Sequence, residues 1–237
     1  PGDVDTTIKT FALNVAPIND APSFDIPVTE VTFLEDVEEV TGNNPTVVSG
    51  FATNILAGPT TALDENDNPA TKQSVSFVTV SVSDPSLFAV QPRILPNGDL
   101  TFETAQHQNG TAEVVVHLLD DGVGPETGNG DDNQSRPDVT FTINVTPVND
   151  APEFTIPDTA NSQEDQGFVS IPGFATGMRT GPVDATDEAG QQFTVAVTAA
   201  DPSAFTVQPA IGADGPLTFQ TAADVTSLNA DLTVTVV

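Results

Sequence analysis

At 237 residues, with 34 Asp and Glu against five Lys and Arg, the chain carries a formal charge of −29. So acidic a surface repels phosphate backbones and anionic lipid, which argues against nucleic-acid partners and membrane insertion. With no Cys it has no disulfide, thiolate metal site or cysteine nucleophile. A hydrophobic fraction of 38%, with 17 Gly besides, belongs to a folded chain and not to an acidic disordered tail. No run approaches the roughly 18 apolar residues of a membrane span, and a chain that starts at Pro1 reads as an internal piece of a longer protein.

In chain order, the first predicted element is a strand at residues 11–15, followed by Pro17-Ile18-Asn19-Asp20-Ala21-Pro22. Seven strands then follow, near 24–33 (A), 46–52 (B), 73–83 (C), 87–91 (D), 99–104 (E), 111–119 (F) and 137–146 (G). Strict alternation marks them: Ala112, Val114, Val116 and Leu118 on F, Phe141, Ile143 and Val145 on G, and Val78, Val80 and Val82 on C. Pro96-Asn97-Gly98-Asp99 suits a tight hairpin between D and E. After Pro147-Val148-Asn149-Asp150-Ala151-Pro152 the pattern restarts, with Phe193, Val195 and Val197 and then Leu232, Val234 and Val236. No segment sustains helical spacing for three turns.

The restart is a repeat. Phe141-Thr142-Ile143-Asn144-Val145 follows Phe11-Ala12-Leu13-Asn14-Val15 after 130 residues. Gly50-Phe51-Ala52-Thr53 and Gly58-Pro59 return as Gly173-Phe174-Ala175-Thr176 and Gly181-Pro182, and Asp84-Pro85-Ser86 returns as Asp201-Pro202-Ser203. Residues 1–18 are thus the C-terminal strand of a preceding repeat, 19–148 a complete repeat, and 149–237 a repeat lacking its last strand. The expected fold is all-β: tandem Greek-key sandwiches of about seven strands, end to end, immunoglobulin-like without the Cys–Trp–Cys mark.

Asn19-Asp20-Ala21-Pro22 and Asn149-Asp150-Ala151-Pro152 resemble the linkers of cadherins and of bacterial cadherin-like tandem repeats, a group found in large secreted and surface proteins. The resemblance implies Ca2+ at the joints and an extracellular or cell-surface location. Strand parity indicates which residues gather there. With A running down from its linker, the A–B, C–D and E–F loops fall at the bottom of a repeat, and B–C and F–G at the top. Glu35, Asp36 and Asp84 then meet the linker pair Asn149 and Asp150, with Asp184, Asp187 and Glu188 from the repeat below. At the upper joint Asn19 and Asp20 meet Asp64, Glu65, Asp67, Asp120 and Asp121. Calcium takes six to eight oxygens, which such a set supplies. Each acid is also a turn former beside Pro or Gly.

Catalysis is not expected. His107, in the E–F loop, and His117, facing outward on F, form no Ser/His/Asp grouping, and without Trp or Tyr there is no sugar-stacking platform beside paired carboxylates. The expected role is structural: a segment of a long extracellular rod, fibre or adhesin stalk whose partners are neighbouring repeats. Two alternatives are a calcium-dependent module binding surface polysaccharide, and a fibre subunit in which residues 1–16 of one chain complete the last repeat of another copy.

Overall fold

The structure is a computed structural model that describes residues 7–36, 45–69, 71–122, 133–225 and 231–236. Residues 1–6 of the strand expected from the preceding repeat lie outside the described residues. Residues 7–18 form no strand, and Ile8, Phe11, Leu13 and Val15 all face solvent.

The middle repeat is a sandwich of two sheets. One comprises β2 (Glu30–Leu34), β9 (Val139–Thr146), β8 (Gly110–Asp120) and β5 (Val75–Val82), in that order. Opposite it, β3 (Thr46–Val48), β7 (Leu100–Thr104) and β6 (Phe88–Ile94) form the second sheet, and β1 (Ser23–Asp25) pairs with β4 (Thr53–Leu56) in a separate two-stranded ladder. All pairs are antiparallel except β2 with β9. The inward faces of β8 and β9 are those the alternation indicates. Ala112, Val114, Val116, Leu118, Phe141, Ile143 and Val145 are all buried. Phe141 stands edge-on to Phe51 at 4.7 Å and Phe33 to Phe102 at 5.0 Å, a geometry that aligns ring edges with ring faces.

Three local departures have physical causes. Strand A is two strands, because Pro27 has no N–H to give a ladder. Before it, β1 pairs with β4, and after it β2 joins β9 in the four-stranded sheet. Strand B breaks at Gly50, whose φ of +65° turns the chain, and Gly50 N donates to Asp99 Oδ1 at 2.8 Å. On β5 a bulge between Thr79 and Ser81 inserts a residue and inverts the phase. Phe77 and Val82 therefore pack on the core while Val80, expected to share a face with Val82, is exposed. The D–E hairpin closes as expected, with Gly98 N donating to Leu95 O at 2.8 Å.

The C-terminal repeat repeats this plan: β10 (Glu153–Thr155) with β12 (Thr176–Arg179), then β11 (Val169–Ile171), β15 (Leu217–Thr221) and β14 (Phe205–Ile211), then β13 (Val195–Ala199) with β16 (Leu232–Val236). Leu217 and Phe219 are buried where Leu100 and Phe102 are in the middle repeat. Short helical turns, which the periodicity does not reveal, occur at Leu63–Asn66 and Thr186–Gly190 in the two B–C loops, and at Pro85–Leu87 and Pro202–Ala204.

Candidate functional site

The lower end of the middle repeat meets the linker and the top of the next repeat. Glu35 sits one residue past β2 and is fully buried. Its Oε1 accepts from Val148 N at 2.6 Å and its Oε2 from Asn109 Nδ2 at 3.2 Å. Asp36 takes a left-handed backbone, φ 56°, which aims its carboxylate across the E–F loop. There Oδ1 accepts from His107 N at 2.9 Å. His107 has the same backbone region, φ 53°, and its Nδ1 lies 3.0 Å from Asp150 Oδ2 and 3.5 Å from Asp36 Oδ2. Ligand atoms of Asp36, His107 and Asp150 all fall within 4.8 Å of one another.

From below, Glu188 arrives on the turn Thr186–Gly190. Its Oε1 accepts from Asp150 N at 3.1 Å, while its Oε2 is buried with no hydrogen-bond partner, as is Asp187 Oδ1. Gln108 Nε2 reaches down to Asp184 O at 3.2 Å, so Asp184 contributes its carbonyl to the contact. Gly181 explains its own recurrence: a Cβ there would press on Glu188 and Asp150, so the Gly-Pro pair leaves room for the buried carboxylate.

Electrostatics at this joint are those of crowded carboxylates. Burial pushes Glu35 above the usual range; the Val148 and Asn109 hydrogen bonds oppose this, and the charges of Asp187 and Asp36 add to it. Burial likewise raises Asp150, with Asp36 and Glu188 adding to it and His107 opposing. Burial works against a charged His107, but Asp150, Asp36 and Asp184 outweigh it and hold the ring above the ordinary histidine value.

The upper end of the middle repeat has the same design. Asp20 N donates to Glu65 Oε1 at 2.8 Å, as Asp150 N does to Glu188. Glu65 is buried on its own helical turn, and its Oε2 has no partner. Burial raises Glu65 first, and the charges of Asp20, Asp64 and Asp120 raise it further, so those three stand around it. Asn19 is buried and its Oδ1 accepts from Gln73 Nε2 at 2.7 Å.

Other acids have local structural partners. Asp84 Oδ1 accepts from Ser86 N at 3.1 Å and caps the turn Pro85–Leu87. Its repeat counterpart Asp201 does the same for Ser203 at 3.0 Å. Asp121 Oδ1 accepts from Ser74 N at 2.7 Å, Asp67 closes the helical turn through its backbone N–H to Leu63, and Asn149 Nδ2 donates to Asp150 O at 3.1 Å.

His107 is the joint residue that the sequence reading passed over. The parity rule itself places its loop at the bottom, and that was the available signal. In the C-terminal repeat the matching position is Asp224, with φ 55°.

No protein-family model and no curated protein matches the chain. Among solved structures it is similar to the human desmocollin-1 ectodomain, with 10% identity and a TM-score of 0.39, over 92% of this chain and 40% of that one. The chain thus spans well under half the length of that ectodomain. Among the described residues no helix is long and apolar enough to cross a membrane.

Proposed function

We propose that this chain is a load-bearing segment of an extracellular rod, in which β-sandwich repeats stack end to end and calcium stiffens each joint. One observation carries the reading. Carboxylates from the A–B loop (Glu35, Asp36), the linker (Asp150) and the next repeat's B–C loop (Asp187, Glu188) meet at one place, with Glu188 Oε2 and Asp187 Oδ1 buried and unpartnered. A buried carboxylate oxygen without a donor costs about 1–3 kcal/mol, and crowding like charges adds to that.

The donor set suits a hard divalent cation, which takes carboxylate and carbonyl oxygens. Glu35, Asp36, Asp150, Asp187 and Glu188 would hold it, the first two from one repeat and the last two from the next. Bound there, the ion would neutralise the carboxylates and tie the two repeats to the linker. Without it, their repulsion favours an open, flexing joint.

The test is a thermal melt and small-angle scattering of the chelator-stripped protein before and after millimolar calcium. A higher melting temperature and a narrower, more extended distance distribution are expected. No change in either quantity would refute the reading.

Strand exchange between copies has an observation of its own. Phe11, Leu13 and Val15 are exposed, whereas Phe141, Ile143 and Val145, at the matching repeat positions, are buried. An open cavity of 520 Å³ bordered by Phe174, Val197, Leu217 and Val234 lies in the C-terminal repeat. A melting temperature that rises with protein concentration in the parent chain and not in Phe11→Ala would support exchange.

A further inference from the structure

Calcium sites are built of oxygen, yet the innermost trio of this joint contains a nitrogen. His107 Nδ1 lies between Asp150 Oδ2 at 3.0 Å and Asp36 Oδ2 at 3.5 Å. Bonds of about 2.0–2.2 Å from zinc to nitrogen and oxygen put neighbouring tetrahedral ligands roughly 3.4 Å apart, close to these separations. We propose that Asp36, His107 and Asp150 form a site at the joint for a borderline divalent ion of the zinc class, which draws Asp36 and Asp150 from the all-oxygen set when it binds.

Four features support it. First, the ring is held by the backbone: His107 N is tied to Asp36 Oδ1 at 2.9 Å and its φ of 53° turns the side chain into the joint. That holds Nδ1 against the two carboxylates, where a metal would take the place of the proton shared with Asp150. Second, the backbone device recurs at the matching position of the next repeat. Asp224 occupies it in the C-terminal repeat with φ 55°, so the same backbone device presents an oxygen there and a nitrogen here. Third, Glu188, 1% exposed, accepts from Asp150 N and brings a buried, unpartnered Oε2 to the same joint, outside the trio. Fourth, imidazole with carboxylates suits zinc and its neighbours in the transition series, whereas calcium gains little from nitrogen. The inference rests on the joint reading only in taking these carboxylates to face a cation.

The experiment is calorimetric titration of Zn2+ into the stripped 237-residue protein without added calcium, for the parent, His107→Asn and His117→Asn. Asn tolerates the left-handed backbone and keeps the N–H to Asp36. One zinc per chain is expected in the parent. His107→Asn should weaken binding at least about tenfold, the scale seen for loss of even an outer partner of a metal ligand, and His117→Asn should not. Should His107→Asn fold poorly, nitrogen NMR of the parent decides: zinc must shift Nδ1 of His107 and leave His117 in place.

Absence of zinc binding, equal binding by His107→Asn, or loss in His117→Asn alone would each overturn the proposal. The calcium-dependent melt separates the two readings. A melt unmoved by calcium with zinc binding intact sinks the calcium-stiffened rod and leaves this site, and the converse leaves the rod alone.

Discussion

Glu188→Gln should act in opposite directions with and without calcium. Glutamine keeps the shape and keeps an acceptor for Asp150 N, now 3.1 Å from Glu188 Oε1, but removes one charge from the joint. In chelator the hydrogen bond loses its charge assistance, about 1 kcal/mol. Set against that, the unpartnered Oε2 is replaced by an amide N–H that can donate to a neighbouring carboxylate, which recovers about 1–3 kcal/mol. The net is a variant as stable as the parent or more stable by up to about 2 kcal/mol. In calcium the variant is short of a ligand charge, and ligand charge sets affinity in such sites. A site at a hundred times its Kd stabilises by about 2.7 kcal/mol, and one bound tenfold more weakly, at the same free calcium, by about 1.4 kcal/mol. The calcium-dependent gain should therefore shrink by about 1.3 kcal/mol, roughly 3–5 °C for domains of this size. Differential scanning calorimetry in chelator and then in calcium reads both halves. If Glu188→Gln and the parent gain equally from calcium, Glu188 does not face a cation and the joint argument fails.

Phe141→Ala should cost about 3–5 kcal/mol, since the ring is 1% exposed and packs edge-on to Phe51, whereas Phe11→Ala should cost nothing measurable in dilute protein, as Phe11 is 89% exposed; urea unfolding compares them directly. The calcium-free protein should grow more stable as pH falls below neutral. Glu35, Glu65, Asp150 and His107 all have folded values raised above their ordinary ones, so each contributes stability that is complete below the ordinary value and lost as pH rises through the raised one. Melting temperatures measured in chelator from neutral pH down toward the ordinary glutamate value of 4.5 should climb, and a steady fall over that interval would refute the assignment.

The parts of the fold legible in the sequence were those written in period two. β8 and β9 bury the residues that alternation selects because each lies with one face on the core and few irregularities. β5 carries an equally clear pattern and misled, because a one-residue bulge has no signature in hydrophobicity and reverses every residue after it. The same distinction runs through the joint. Strand parity assigns loops to ends, and the structure places Glu35, Asp36, Asp150, Asp187 and Glu188 near one another at one end and Asp20, Asp64, Glu65 and Asp120 at the other. Parity has no power over what a side chain does once it is there. Asp84 and Asp36 are both bottom-loop aspartates near a strand end, yet Asp84 folds back onto Ser86 because a Pro-Ser turn follows it, while Asp36, in a left-handed backbone, cannot close that turn and reaches His107 instead. The backbone angle, and not the residue type, separates the acid that serves its own loop from the one that reaches across, and that angle belongs to the repeat itself, since Asp165 and Asp224 hold it at the matching positions of the C-terminal repeat.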